Sequence, residues 1–203
     1  LKANLYQQTP QSKHNFQFVL DSLASKDTTK HTPLDLHIGS LIIRHGAVKY
    51  DKRYIVSKSG VFSPAHISIS DLSTHIIANH ITDDAINLHI KKLAFRDKSG
   101  LQLNSLSFKL DANKREASLK EFELQLPHSD ITLGDIHATY KFDNGKLVMP
   151  TLQYSGSIEQ SKITLSDIAC LLPIFRHFED AVFFETQFTG TSTSLRCQKI
   201  NFK

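Results

Sequence analysis

Between Leu34 and Leu165 apolar side chains alternate with Ser, Thr, Lys, His and Asn in steps of two, and Gly, Pro or Asx residues fall at the breaks. A period of two sends successive side chains to opposite faces of a pleated strand. The stretch therefore predicts strands at roughly 34–43, 46–56, 65–77, 85–95, 101–110, 117–126, 130–142, 146–154 and 157–165. Asp143-Asn144-Gly145 is the clearest hairpin signal, because Asn-Gly supplies the positive φ angles that a tight turn needs. His45-Gly46 and Lys98-Ser99-Gly100 are weaker turns of the same kind, and strands resume at roughly 181–189 and 193–202 across Gly190.

Within the strands one pattern recurs, apolar-x-apolar-x-x-apolar-x-apolar. It is seen at Leu36/Ile38/Leu41/Ile43, Leu88/Ile90/Leu93/Phe95, Leu101/Leu103/Leu106/Phe108 and Ile131/Leu133/Ile136/Ala138, with partial copies at Ile67/Ile69/Leu72 and Ile163/Leu165/Ile168. The extra central residue breaks parity, so in an uninterrupted strand the two apolar pairs would face opposite ways. Either a bulge restores a common face and adds curvature, or the strands are ordinary ones separated by breaks. The copies are irregularly spaced, which excludes a strict solenoid repeat.

The flanks have a helical period. Phe16, Val19, Leu20 and Leu23 form the stripe of a short amphipathic helix over 15–25 with Asn15 as N-cap, followed by a polar linker from Lys26 to Pro33. A second helix starts at Ser166 or Asp167 and breaks at Pro173 into two turns, presenting Leu171, Leu172, Phe175 and Phe178 to an apolar surface. The expected organisation is helix and linker over 1–33, antiparallel sheet over 34–165, and a helix with terminal strands of the same or a further sheet over 166–203. The architecture is mainly β, an elongated curved sheet bent into a gutter, with two short amphipathic helices.

Composition narrows the chemistry. Among 203 residues, 24 Lys and Arg stand against 20 Asp and Glu, and the basic residues are scattered rather than clustered, which argues against nucleic acid as a partner. No apolar run approaches the ~20 residues of a membrane-spanning helix, and the chain opens at Leu1 in mid-pattern like an excerpt of something longer. None of the 11 histidines lies two to four residues from another; His75 and His80, five apart, are expected on opposite sides of a strand. Asp83-Asp84 reads as a turn, and Glu121 and Glu123 as the wet face of a strand whose dry face holds Phe122 and Leu124. Nucleotide-binding and common hydrolase motifs are missing, so no metal, cofactor or catalytic residue is expected. Cys170 and Cys197 either form one disulfide or stay as two buried thiols.

What remains is the apolar face itself. It is either closed by a second sheet into a dry sandwich or left open as a groove for acyl chains. The segments Asn15–Leu20, Leu34–Asp51 and Ile163–Pro173 resemble the AsmA-like and translocation-and-assembly-module (TamB-like) proteins of Gram-negative envelopes, above all their Bacteroidetes forms. The resemblance implies a periplasmic protein anchored in the inner membrane by a helix outside this segment, with a β groove that carries phospholipid acyl chains between the membranes. In the translocation-module branch it also implies an outer-membrane barrel partner. The groove residues expected on this reading are Leu36, Ile38, Leu41, Ile43, Ile67, Ile69, Leu88, Ile90, Leu93, Phe95, Leu101, Leu103, Leu106, Phe108, Ile131 and Leu133.

Overall fold

The computed structural model describes residues 1–18, 35–143 and 145–202. Its strands are β1 (Lys2–Gln7), β2 (Asp35–Lys52), β3 (His66–Thr82), β4 (Ala85–Asp97), β5 (Gln102–Asn113), β6 (Glu116–Gln125), β7 (Asp130–Leu133), β8 (Ile136–Thr139), β9 (Phe142–Asp143), β10 (Lys146–Leu147), β11 (Gln153–Thr164), β12 (Ala181–Thr191) and β13 (Leu195–Phe202). They build one large curved sheet of eleven strands in the order β1-β2-β3-β4-β5-β6-β7-β11-β12-β13, while β8 prolongs β7 between β6 and β11. All its pairings are antiparallel except β1 with β2.

Short turns join β3 to β4, β4 to β5, β5 to β6, β6 to β7 and β12 to β13, and each of these pairs is adjacent in the sheet. Lys98-Ser99-Gly100 turns β4 into β5, with Gly100 at φ 100° and Gly100 N–H donating to Asp97 O at 3.0 Å. The Asn-Gly signal marks the two-stranded β9–β10 ribbon, where Gly145 has φ 74°. The expected turn at His45-Gly46 is instead the interior of the long strand β2: His45 takes φ 52° there and two residues, Arg44 and His45, face Ser73 alone. Similarly, the expected break at Ser155-Gly156 lies within β11. A Cβ on Gly156 would lie 2.7 Å from Ile136 Cγ1 and 3.0 Å from Phe188 Cζ, so the glycine lets neighbouring side chains close over the strand.

The parity-breaking pairs resolve mostly as bulges. Gly39-Ser40 face Ile77, Lys91-Lys92 face Ser107, and Asn104-Ser105 face Ala94, each an extra residue inside a continuous strand. Ser70-Asp71 does the same in β3, with Asp71 at φ 53°. The copy at Ile131–Ala138 is a break, at Gly134-Asp135 between β7 and β8, and the partial copy Ile163/Leu165/Ile168 runs off the end of β11 into the 3-10 segment Leu165–Ile168.

The flanks depart from expectation. Most of the helix expected over 15–25 lies outside the described residues. The second helix is two short 3-10 segments, Leu165–Ile168 and Pro173–His177, since Pro173 has no N–H to continue a helix. Phe175 rests edge-on against Phe178, but Leu171, Leu172 and Phe178 face solvent rather than an apolar surface, and Ile174 is 76% exposed. Strand β1 had no counterpart in the sequence reading. Its outer edge is occupied by Asn15, whose Nδ2 donates to Asn4 O and whose Oδ1 accepts Tyr6 N–H.

Candidate functional site

Residues directly opposite each other in a ladder share a face, and the bulges keep that face constant along each strand. One row crosses nearly the whole sheet: Leu36, Ile81, Ile86, Ala112, Ala117, Ala138, Tyr154, Gly190 and Leu195. Beside it runs Ile38, Ala78, Leu88, Leu110, Leu119 and Ile136. The next row holds Leu41, Ile76, Ile90 and Phe108, continued through Phe122 to Leu133 and Ile158. A further row carries Ile43, Thr74, Leu93, Leu106, Leu124 and Ile131. Toward the end of the strands Tyr50 meets Ile67, Val48 meets Ile69, and Phe95 meets Leu103.

The groove residues expected from sequence thus fall on one face, apart from Leu101, which precedes β5 and accepts the Asp97 N–H in the turn. Sequence reasoning missed Ala112 and Ala117 of the first row and Thr74, whose buried Oγ1 has no hydrogen-bond partner among the described residues. No second sheet covers this face among the described residues. Extensive contact between strands is confined to neighbours within a sheet. Ala78, Leu103 and Cys170, the last of them outside the strands, are the only buried apolar side chains among the described residues, while Leu36 and Leu41 are each 42% exposed. The face is a half-covered apolar surface and not a closed core.

The opposite face is mostly polar, although Ile42 and Ile77 lie on it beside His75 and His89. A recess of about 450 Å³ lies on β8, β11, β12 and β13 among His137, Ser155, Thr189 and Arg196. On this side His89 pairs with Lys109, and Lys109 Nζ donates to Glu121 Oε1 at 2.6 Å. That hydrogen bond holds the Glu121 carboxyl below its usual range, whereas desolvation, then the charges of Lys109 and Lys91, lower the His89 pKa. Glu121 is a positive-φ bulge residue and not the plain alternation expected of it. His75 and His80 share this polar face, contrary to expectation, because a bulge at Asn79 resets the parity between them. No group of His, Cys, Asp or Glu among the described residues is placed to hold a metal ion.

At one end of the sheet the 3-10 segments form a cap. Asp167, its side chain 3% exposed, accepts hydrogen bonds from His128 N–H at 2.9 Å and Ser129 Oγ at 2.7 Å, and its Oδ1 lies 2.8 Å from His128 Nδ1. Ser129 is itself buried and also accepts Thr164 N–H, so this His-Asp-Ser contact is a clamp, with no hydroxyl open to a substrate. Cys170 O accepts Phe62 N–H from the β2–β3 connection, and burial raises the Cys170 thiol pKa. Cys170 and Cys197 are free thiols; Cys197 is exposed, which corrects the expectation of burial.

No helix among the described residues is long and apolar enough to cross a membrane. The chain matches no family model, no curated protein and no solved structure.

Proposed function

We propose that this chain is a non-enzymatic lipid-shielding segment of a periplasmic envelope protein, anchored to the inner membrane elsewhere in its sequence. Phospholipid acyl chains lie along the apolar rows on their way between inner and outer membranes, and a barrel protein of the outer membrane is the partner in the assembly branch of the same reading. The observation that carries it is the single-layered sheet whose apolar face has no protein over it among the described residues. Each methylene that leaves water against Leu88, Ile90 or Phe108 contributes about 0.8 kcal/mol, so affinity builds along a chain without a converging polar cluster. Fluorescence titration with cis-parinaric acid tests it: Phe108→Asp is expected to weaken binding, and Ile77→Asp, on the opposite face, to leave it unchanged. Equal binding by the parent and Phe108→Asp rejects the reading.

A second reading is a protein-interaction module, a β-sandwich with no lipid. The observation in its favour is β13, which among the described residues pairs with β12 alone and offers an open edge for strand addition. It needs its other layer from a segment or chain not among the described residues.

A further inference from the structure

The β2–β3 connection folds over the end of the sheet and leaves a recess of about 420 Å³ between itself, the paired ends of β2 and β3, and the turn that follows β4. Lys49, Lys58 and Lys98 line it against one carboxylate, Asp51, which lies 2.8 Å from His66 Nδ1. The nearby Asp97 carboxylate is turned to the backbone, accepting Ser68 N–H at 2.8 Å and Ser99 N–H at 2.9 Å. From the cap the Arg176 guanidinium approaches the same loop, its Nη2 3.9 Å from where a Cβ on Gly60 would sit. One lining side chain, His66, buries a ring nitrogen, Nε2, that has no hydrogen-bond partner among the described residues. Native structures seldom leave such an atom unpaired, and here it coincides with an excess of positive charge.

We propose that this recess binds a phosphate-class oxyanion, carried by a lipid headgroup or by a small phosphate. The ammonium groups supply the charge. With Asp51 holding Nδ1, the His66 imidazolium donates through Nε2–H, or neutral Nε2 accepts from a protonated phosphate oxygen. The backbone N–H groups of residues 57–61, which donate to no acceptor among the described residues, are further donors. A tetrahedral anion with several acceptor oxygens matches donors that arrive from two strands, a loop and a turn. The site does not rest on the acyl reading, because its lysines and histidine lie off the central apolar rows.

Isothermal titration in phosphate-free buffer with inorganic phosphate, and separately with dihexanoyl phosphatidic acid below its micelle concentration, tests the site. The parent is expected to bind at least one probe saturably. A Lys49→Gln/Lys98→Gln double variant, and independently Lys58→Glu, are expected to weaken that binding at least tenfold with unchanged melting temperature. Tighter binding of the phosphatidate assigns the headgroup, and phosphate affinity equal to or above it assigns the free anion. Phe108→Asp is expected to keep full phosphate affinity, which separates this site from the acyl surface. Binding of neither probe, or parental affinity in the lysine variants, overturns the proposal.

Discussion

Phe108 and Phe122 stack across neighbouring strands with ring centroids 6.3 Å apart and planes 21° from parallel, and they meet because Phe108 faces two residues of β6, Glu121 and Phe122, in place of one. The extra residue is Glu121, at φ 52°. Were Glu121 paired in regular alternation and not bulged, it would take the apolar side and Phe122 the polar one, since a one-residue slip reverses every side chain beyond it.

That geometry gives the first prediction. A non-glycine residue in the left-handed region costs roughly 1–2 kcal/mol, most when β-branched. Glu121→Gly is expected to keep or raise the unfolding free energy despite losing the exposed Lys109 contact, and Glu121→Val to lower it by about 1–2 kcal/mol. Urea denaturation of the variants checks this; equal stability of the Gly and Val forms would mean that the bulge is not held as described.

Gly190 gives a second. A Cβ there would collide with Tyr154 Cζ and lie 2.7 Å from Ser194 O, so the Tyr154 ring lies over the glycine in the same apolar row. Gly190→Ala is expected to destabilise the protein by about 1–3 kcal/mol, with partial recovery when Tyr154→Ala is added. Thermal melting of the single and double variants measures the coupling.

The polar face gives a third, with a defined sign. His89 titrates below its ordinary 6.5 in the folded state, so the unfolded chain binds the proton first, and stability falls as pH drops through 6.5 toward the depressed folded value. Glu121 titrates below its ordinary 4.5, so the contribution of its charged form is complete above 4.5 and is lost as pH falls through the lower folded value. Melting temperature should therefore decline on acidification in two separable windows. His89→Gln should flatten the upper window and Glu121→Gln the lower one. An unchanged profile in both variants would contradict the electrostatics described for this face.

Much of this fold was legible in the sequence because the period of two survives at each strand and the bulges leave a written trace, the doubled polar residues at Gly39-Ser40, Lys91-Lys92 and Asn104-Ser105. The face shared by Leu36, Leu88, Leu103 and Phe108 followed from that trace. Other features depend on contacts that no local pattern encodes. His45-Gly46 carries a turn signal, yet the pairing of Ile43 with Thr74 and of Gly46 with Leu72 in β3 holds it inside the strand as a bulge. Gly156 sits within a strand because Ile136 and Phe188 fill the space above it. The parallel strand β1 pairs across more than forty residues (Lys2 with Ala47), and its apolar content, Ala3 and Leu5, is too slight to announce a strand. The Asp167 clamp joins residues 38 and 39 positions apart, and the recess under the β2–β3 connection likewise collects side chains distant in sequence.

The central claim is that lipid, and not protein, covers the apolar rows. Native mass spectrometry of the protein purified without detergent tests it most directly. The account predicts adducts with the masses of phospholipids on the parent, and their loss from Phe108→Asp with the far-ultraviolet circular dichroism retained. A lipid-free parent, or an adduct population undiminished in Phe108→Asp, would contradict it.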